Sequence, residues 1–316
     1  MVYEKTPYSK LWDVNLEWGQ FPRDVLLSCP AHVVEILEWG AKYSIKQHDP
    51  EWYAIRDNTL IVTGSILNSI VGENKYETRE DTFLSKVWQH PSPFRGNAAC
   101  EWGTLHEDEA YSKWCQREKV YGFTMGLIVD RDPAFQYRGG SLDGLDNRGR
   151  VIEIKCPLHR KIIPGKIPEY YYYQPQFYMY ELGLTDAVFV QYKPEKLIGY
   201  ELLDATEVSL DRPRMESVLD KAHTFAMEVI ECRKTGVLPP EVKKRREWLV
   251  KQRFKKEQKV FSYDSVFLDT WEMTPNAAEA LYQRTQTNID LNVEQHFLSM
   301  LEENDYEPDP GTDSAA

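Results

Sequence analysis

The sequence predicts an α/β fold: a central mixed β-sheet flanked by helices, with helical extensions at both ends. Three observations lead there. The middle of the chain reads helix, three antiparallel strands, helix, strand, which is the order of an α/β sandwich. The segment VIEIK (151–155) alternates β-branched with charged residues at a period of two, as a strand with one apolar face does. With 316 residues, 42% of them hydrophobic, the chain can bury a sizeable core.

Taken in order, residues 1–46 read as an irregular lead followed by a helix in AHVVEILEWGAKYSIK. The core runs from 47 to 235, and KTGVLPPEVKK marks the exit, because its Gly and paired Pro interrupt any helix. Inside the core a helix opens at Thr63-Gly64-Ser65 and a second covers about 100–118. Three strands fit between 120 and 156. A helix over 168–183, strands near 186–193 and 198–203, and a long helix over about 211–233 complete it. Residues 236–301 form a C-terminal extension. Residues 302–316 hold six acidic residues and two prolines, so a disordered tail is expected.

Composition narrows the function. No apolar run approaches the ~18 residues of a membrane span, and no signal peptide precedes the first charged helix. An intracellular protein without a membrane partner is expected. Five cysteines, odd in number and irregularly spaced, fit reduced thiols and offer neither a CxxC zinc pattern nor the ligand set of an iron–sulfur cluster. The net charge of −12 argues against a coat-like nucleic-acid binder but leaves room for an enzyme with one basic channel. Residues 243–259 carry nine Lys or Arg against two Glu, beginning with Lys243, Lys244, Arg245 and Arg246. Such a run is either a solvated helix face or a set of phosphate contacts.

The stretch GSLDGLDNRGRVIEIKCP (140–157) carries the chemistry. Asp146-Asn147-Arg148-Gly149 has the residues of a hairpin turn, which places Asp143 on the strand beside VIEIK. Glu153 and Lys155 share one face of that strand. Two carboxylates and an ammonium then converge. Hard oxygen ligands of this kind suit Mg²⁺ or Mn²⁺, and a lysine beside them can orient or deprotonate water and offset charge on phosphorus. The plainer alternative is a surface hairpin with a cross-strand ion pair. Upstream, a helix over WGTLHEDEAYSKW puts Gly103, Glu107, Ala110 and Trp114 within one arc and points Asp108 away from it. A carboxylate on a packing face is costly unless it meets a cation, a metal or a donor, or the helix is rotated so that Glu107 is merely solvated.

WGTLHEDEA, SLDGL and EIKCP, in this order and spacing, resemble the phage lambda exonuclease and YqaJ-type viral recombinase family. They also resemble the related alkaline exonucleases of large DNA viruses, all within the PD-(D/E)XK superfamily. QHDPEWYAIRDNTLIVTGS is similar to the family's opening motif, and YYYYQPQFYMYELG to its late helix. The likeness spans roughly residues 47–195. It implies a PD-(D/E)XK core with Asp143, Glu153 and the Ile154 carbonyl as metal ligands, Lys155 as the catalytic lysine, and Glu107 holding the metal or its water. It further implies that Gln176 closes the site, with Tyr180 one turn on as an accessory candidate. Arg56, Ser65 and Ser141 match residues that bind a terminal 5′ phosphate. The implied activity is Mg²⁺-dependent 5′-to-3′ exonuclease action on 5′-phosphorylated ends of double-stranded DNA, for recombination or genome processing in the host cytoplasm or nucleus if viral. A single-strand annealing protein is an implied partner and a trimer an implied assembly. Leu142 stands where the family has Pro, and the two terminal extensions have no counterpart in the short phage enzyme. The competing readings are an endonuclease or RNase on the same scaffold and, in another class, an inactive DNA-end-binding protein.

Overall fold

The computed structural model describes residues 8, 10–47, 49–52, 55, 60–87 and 98–263, the last eleven as helical backbone. Arg56 and residues 264–316, with the acidic tail expected at 302–316, lie outside the described residues.

The N-terminal part forms strand β1 (Leu11–Asp13) and helices α1 (Val14–Glu17), α2 (Arg23–Leu27) and α3 (Ala31–Tyr43). Asp13 caps α1 by accepting from Asn15 N–H at 3.0 Å. A 3₁₀ turn at Gly64–Ile66 leads into α4 (Leu67–Ile70), and α5 (Arg79–Val87) and the long α6 (Ala98–Glu118) follow. Five short strands come next: β2 (Gly122–Thr124), β3 (Ile128–Val129), β4 (Gly139–Gly140), β5 (Gly144–Asp146) and β6 (Val151–Lys155). The remainder is α7 (Tyr173–Leu182), β7 (Asp186–Lys193), α8 (Glu195–Ile198), β8 (Leu202–Ser209), α9 (Arg212–Thr235) and α10 (Pro240–Tyr263). No helix among the described residues is long and apolar enough to cross a membrane.

Six strands make one mixed sheet in the order β1-β2-β5-β6-β7-β8, while β3 and β4 pair separately. β1 runs parallel to β2 and β6 parallel to β7; the other neighbours are antiparallel. Helix α6 covers one face, where Tyr111, Trp114 and Cys115 meet Ile152, Ile154, Val188, Val190 and Tyr192. The opposite face carries Val151, Ala187 and Phe189 against Phe177 of α7 and Phe225 of α9. This is the flanked mixed sheet that the sequence predicts. Because β6 is covered on both sides, Val151 to Ile154 are all buried, as in the strands of a doubly covered sheet.

The hairpin turn at 146–149 forms as its residues suggest. Asp146 Oδ1 accepts from the N–H groups of Arg148 and Arg150, and Gly149 adopts φ +87°, a conformation that only glycine takes without strain. Gly144 answers a different need. A Cβ there would lie 2.2 Å from the Tyr111 ring, so its absence lets α6 settle directly on the sheet.

Three differences from the sequence reading concern boundaries. The strand expected near 198–203 begins at Leu202, because Gly199 at φ +79° closes the helical turn of α8. The helix expected over 168–183 starts with a 3₁₀ turn at Glu169–Tyr171 before α7. Most consequential, residues 11–43 are no appendage: β1 is an edge strand of the sheet, and Trp12, Val14, Phe21, Val33, Ile36 and Leu37 belong to the main core. One compact unit runs through Arg245, and a second begins at Arg246 within α10.

Candidate active site

The β5–β6 pairing matches Gly144 with Ile152, so Asp143 stands one step further along, next to Glu153. Asp143 Oδ2 accepts from the Ile154 N–H at 2.7 Å, which fixes its carboxylate against β6. Lys155 Nζ donates to Glu153 Oε1 and lies 3.8 Å from Asp143 Oδ2. Three side chains from adjacent strands thus share one patch. Glu153 is fully buried, and its second oxygen, Oε2, has no hydrogen-bond partner among the described residues. Burial pushes the Glu153 carboxyl up to about 8, with Asp143 adding to the effect and Lys155 opposing it. For Lys155 burial works the other way, yet the Glu153 and Asp143 carboxylates outweigh it and hold the ammonium protonated well above its usual range.

Glu107 reaches the patch from α6. Its carboxyl is raised to about 8 by burial first and the Asp143 charge second, with Lys155 pulling it down. Glu107 and Asp143 together border two cavities. One, of about 260 Å³, is lined mainly by uncharged hydrogen-bonding groups: Thr63, Ser65, Ser141, Gln174 and Tyr178 among them. The other, of about 320 Å³, continues past Asp13, Lys46 and Asp108. Asp108, expected to point away, therefore faces this second space.

Short backbone bridges set the rim of the first cavity. Val62 pairs with Arg138 and Ile45 with Leu127, which carry Thr63 and Gln47 to its edge. Thr63 and Ser65 share a hydrogen bond of 2.9 Å, and Ser141 Oγ accepts from the Trp52 indole at 3.0 Å. The helix expected to open at 63–65 is a 3₁₀ turn followed by the single turn of α4, too short to present an anion with a summed helix dipole.

Gln176 does not line either cavity. Its Nε2 donates to the Ser209 carbonyl and its Oε1 accepts from the Asp211 N–H, both at 2.8 Å, so the buried amide pins the end of β8 to the start of α9. Tyr180 packs at the edge of the core with Arg212 over its ring at 5.3 Å. The residues of α7 that do line the first cavity are Gln174 and Tyr178, with Tyr178 Oη donating to the Ser141 carbonyl at 2.8 Å. The correction is a matter of helical phase. Positions 174 and 178 fall on one face, and 176 lies some 200° from 174 at about 100° per residue. Gln174/Tyr178 and Gln176/Tyr180 share the same i, i+4 spacing, so the sequence carried no signal that chooses between the two pairs.

Within the basic segment, Arg245 grips Asp81 through two bonds, Nε to Oδ1 at 2.8 Å and Nη2 to Oδ2 at 2.7 Å. Lys244 pairs with Glu241 at 2.9 Å, whereas Lys243 is exposed and Arg246 half-buried. Arg245 thus fastens α10 to α5 instead of presenting its charge to solvent.

Residues 51–185 match the YqaJ-like viral recombinase domain. The matched stretch takes in Ser65, Glu107, Ser141, Asp143, Glu153, Lys155 and Gln174, beginning after α3 and ending before β7. Among solved structures the chain is similar to the alkaline exonuclease LHK-Exo from Laribacter hongkongensis: 23% identity, 65% of this chain and 100% of that chain covered, TM-score 0.48. The same enzyme in complex with dAMP gives 23% identity, the same coverage and a TM-score of 0.49. A phage-related exonuclease from Haemophilus somnus 129PT is 17% identical over 55% of this chain and 96% of its own, with a TM-score of 0.39. No curated protein matches the chain. The six-stranded mixed sheet between helices is compatible with a PD-(D/E)XK core.

The donor set suits a hard divalent cation. Asp143, Glu153 and Glu107 offer oxygen only, and Glu153 Oε2 is a buried acceptor without a donor among the described residues. Among the described residues no three His, Cys, Asp or Glu side chains close into a metal cage.

Proposed function

We propose that the chain is a divalent-metal-dependent deoxyribonuclease that shortens one strand of duplex DNA from a 5′-phosphorylated end, in recombination or genome processing of a virus. One observation carries this reading. Asp143, Glu153 and Lys155 converge within the YqaJ-like domain beside a cavity of hydroxyl and amide groups.

Asp143 and Glu153 would hold Mg²⁺ or Mn²⁺, which when bound supplies Lewis-acid polarisation of the phosphate and a more acidic water. Lys155, beside Glu153 and Asp143, would orient or deprotonate water and offset charge on the phosphate oxygens. Glu107, which borders the same cavity as Asp143, would hold a water there. Ser65 and Ser141 would offer hydroxyl donors to a terminal phosphate, and Arg56, which lies outside the described residues, would supply its countercharge.

The test compares linear duplex with 5′-phosphate or 5′-hydroxyl ends and a closed circle, in Mg²⁺ and in EDTA. Nucleotide release from phosphorylated ends, an intact circle and silence in EDTA are expected. Full activity in EDTA overturns the metal mechanism, and rapid cutting of the circle favours an endonuclease.

A further inference from the structure

From the catalytic patch a run of aromatic rings and cations extends to the surface, and the cleavage chemistry makes no use of it. Lys155 Nζ lies 5.4 Å from the centre of the Tyr171 ring, and the Arg160 guanidinium 5.9 Å from the same ring. Tyr171 packs on Tyr170 with centroids 4.5 Å apart. Tyr170 meets Tyr76 edge to face at 5.4 Å, and the Lys75 ammonium sits 4.8 Å from Tyr76 and 5.0 Å from Tyr170. Residues nearly a hundred positions apart therefore build one continuous feature. Its outer end is open: Tyr76 is 72% exposed.

Two further facts bear on what could lie there. Arg160 donates through Nη1 to Gln191 Oε1 at 2.8 Å, while its buried Nη2 has no partner among the described residues. The charged groups acting on the Tyr76 hydroxyl are Lys75 and Arg160, both positive, and the Lys75 hydrogen bond holds that phenol below its ordinary range. Glu73, two residues before Lys75, is turned toward Tyr173 and Arg214. Rings that offer π-faces, alternating with cations, match a polymer that alternates planar bases with phosphates. A duplex hides all but its terminal base faces within the stack, so only unpaired nucleotides can use successive rings along the run.

We propose that Lys75, Tyr76, Tyr170 and Arg160 form a stacking track for single-stranded nucleic acid, holding unpaired nucleotides next to the scissile phosphate. The proposal rests on reading the adjoining patch as a nuclease centre. The experiment is fluorescence anisotropy with the full chain in EDTA, using a labelled oligo-dT and an abasic oligonucleotide of equal length. Tyr76→Ala and Tyr170→Ala should each weaken oligo-dT binding about tenfold, in line with the loss of one stacked base, and leave abasic binding nearly unchanged. Tyr76→Phe should restore it. Lys75→Gln should weaken both oligonucleotides and flatten the salt dependence. Equal affinity of the parent for oligo-dT and the abasic strand, or parental affinity in both Tyr→Ala variants, overturns the track. If Tyr170→Ala shows a lowered unfolding temperature, Tyr76→Ala decides alone, since most of its side chain is in water. Because binding is read without turnover, stacking without cleavage in Mg²⁺ would retain the track and sink the nuclease reading; cleavage without a ring effect would do the reverse.

Discussion

The ion pair between Lys155 and Glu153 is where the local pattern and the chemistry meet. Period-two alternation puts both side chains on one face of β6, and the register with β5 brings Asp143 to within 3.8 Å of the same ammonium. Lys155→Ala and Asp143→Asn should each reduce DNA cleavage at least a hundredfold while linear duplex still binds. Cleavage within tenfold of the parent, a loss under about 1.4 kcal/mol of barrier, would show that the residue is misassigned. The two glutamines of α7 separate function from framework at the same scale. Gln176→Ala removes two part-buried bonds, to the Ser209 carbonyl and the Asp211 N–H, which should lower stability by roughly 1–3 kcal/mol, seen as a shifted urea midpoint. Gln174→Ala, at the cavity wall, should reduce turnover with the midpoint unmoved. The reverse pattern would return Gln176 to the site.

Helix α7 is held to the β3–β4 hairpin by a buried charge cluster, and that link is pH-sensitive. Arg138 donates from Nε to Asp130 at 2.8 Å and lies 3.4 Å from Glu181, whose side chain is 6% exposed. Burial raises the Glu181 carboxyl from 4.5 to about 8, Arg138 opposing and Asp130 reinforcing the shift. The folded state then binds this proton more tightly than the unfolded chain does. Stability contributed by the protonated group is present at low pH and is lost as pH rises through the window from about 4.5 to about 8. Glu181→Gln keeps the shape without the titration, so its stability should fall less than the parent's across that window. Parallel curves from chemical denaturation at several pH values would rule out the coupling. The element matters to the site because α7 carries Gln174 and Tyr178, and β4 leads directly into Ser141.

At the scale of the whole molecule, residues 11–43 decide whether the sheet exists as built. β1 supplies the outer partner of β2, and Trp12, Val14, Phe21, Val25, Val33, Ile36 and Leu37 fill the main core. Each such side chain is worth about 1.5–3 kcal/mol when fully buried, and domains are stable by only about 5–15 kcal/mol in total. A chain starting at residue 47 should therefore fail to fold, as judged by circular dichroism and gel filtration. A folded, active fragment from 47 onward would restore the boundary read from the sequence and reduce the N-terminal part to an attachment.

Composition, alternation and turn residues were enough to determine the α/β class, the hairpin at 146–149 and the meeting of Asp143, Glu153 and Lys155. Each of these depends on neighbours in sequence or on a strand joined by a tight turn, where local rules act directly. Glu107 was legible too, since a carboxylate on an otherwise Gly, Ala and Trp face has few inexpensive explanations. The phase of α7 was not, because its helix begins after a 3₁₀ turn and both of its faces carry Gln and Tyr. Choosing Gln174 over Gln176 required knowing where β8 ends and α9 begins. Likewise the parallel pairing of β1 with β2, the grip of Arg245 on Asp81 and the stack joining Tyr76 to Tyr170 link segments separated by some ninety to more than a hundred and sixty residues. Such contacts are set by the packing of the whole chain, and no local periodicity records them.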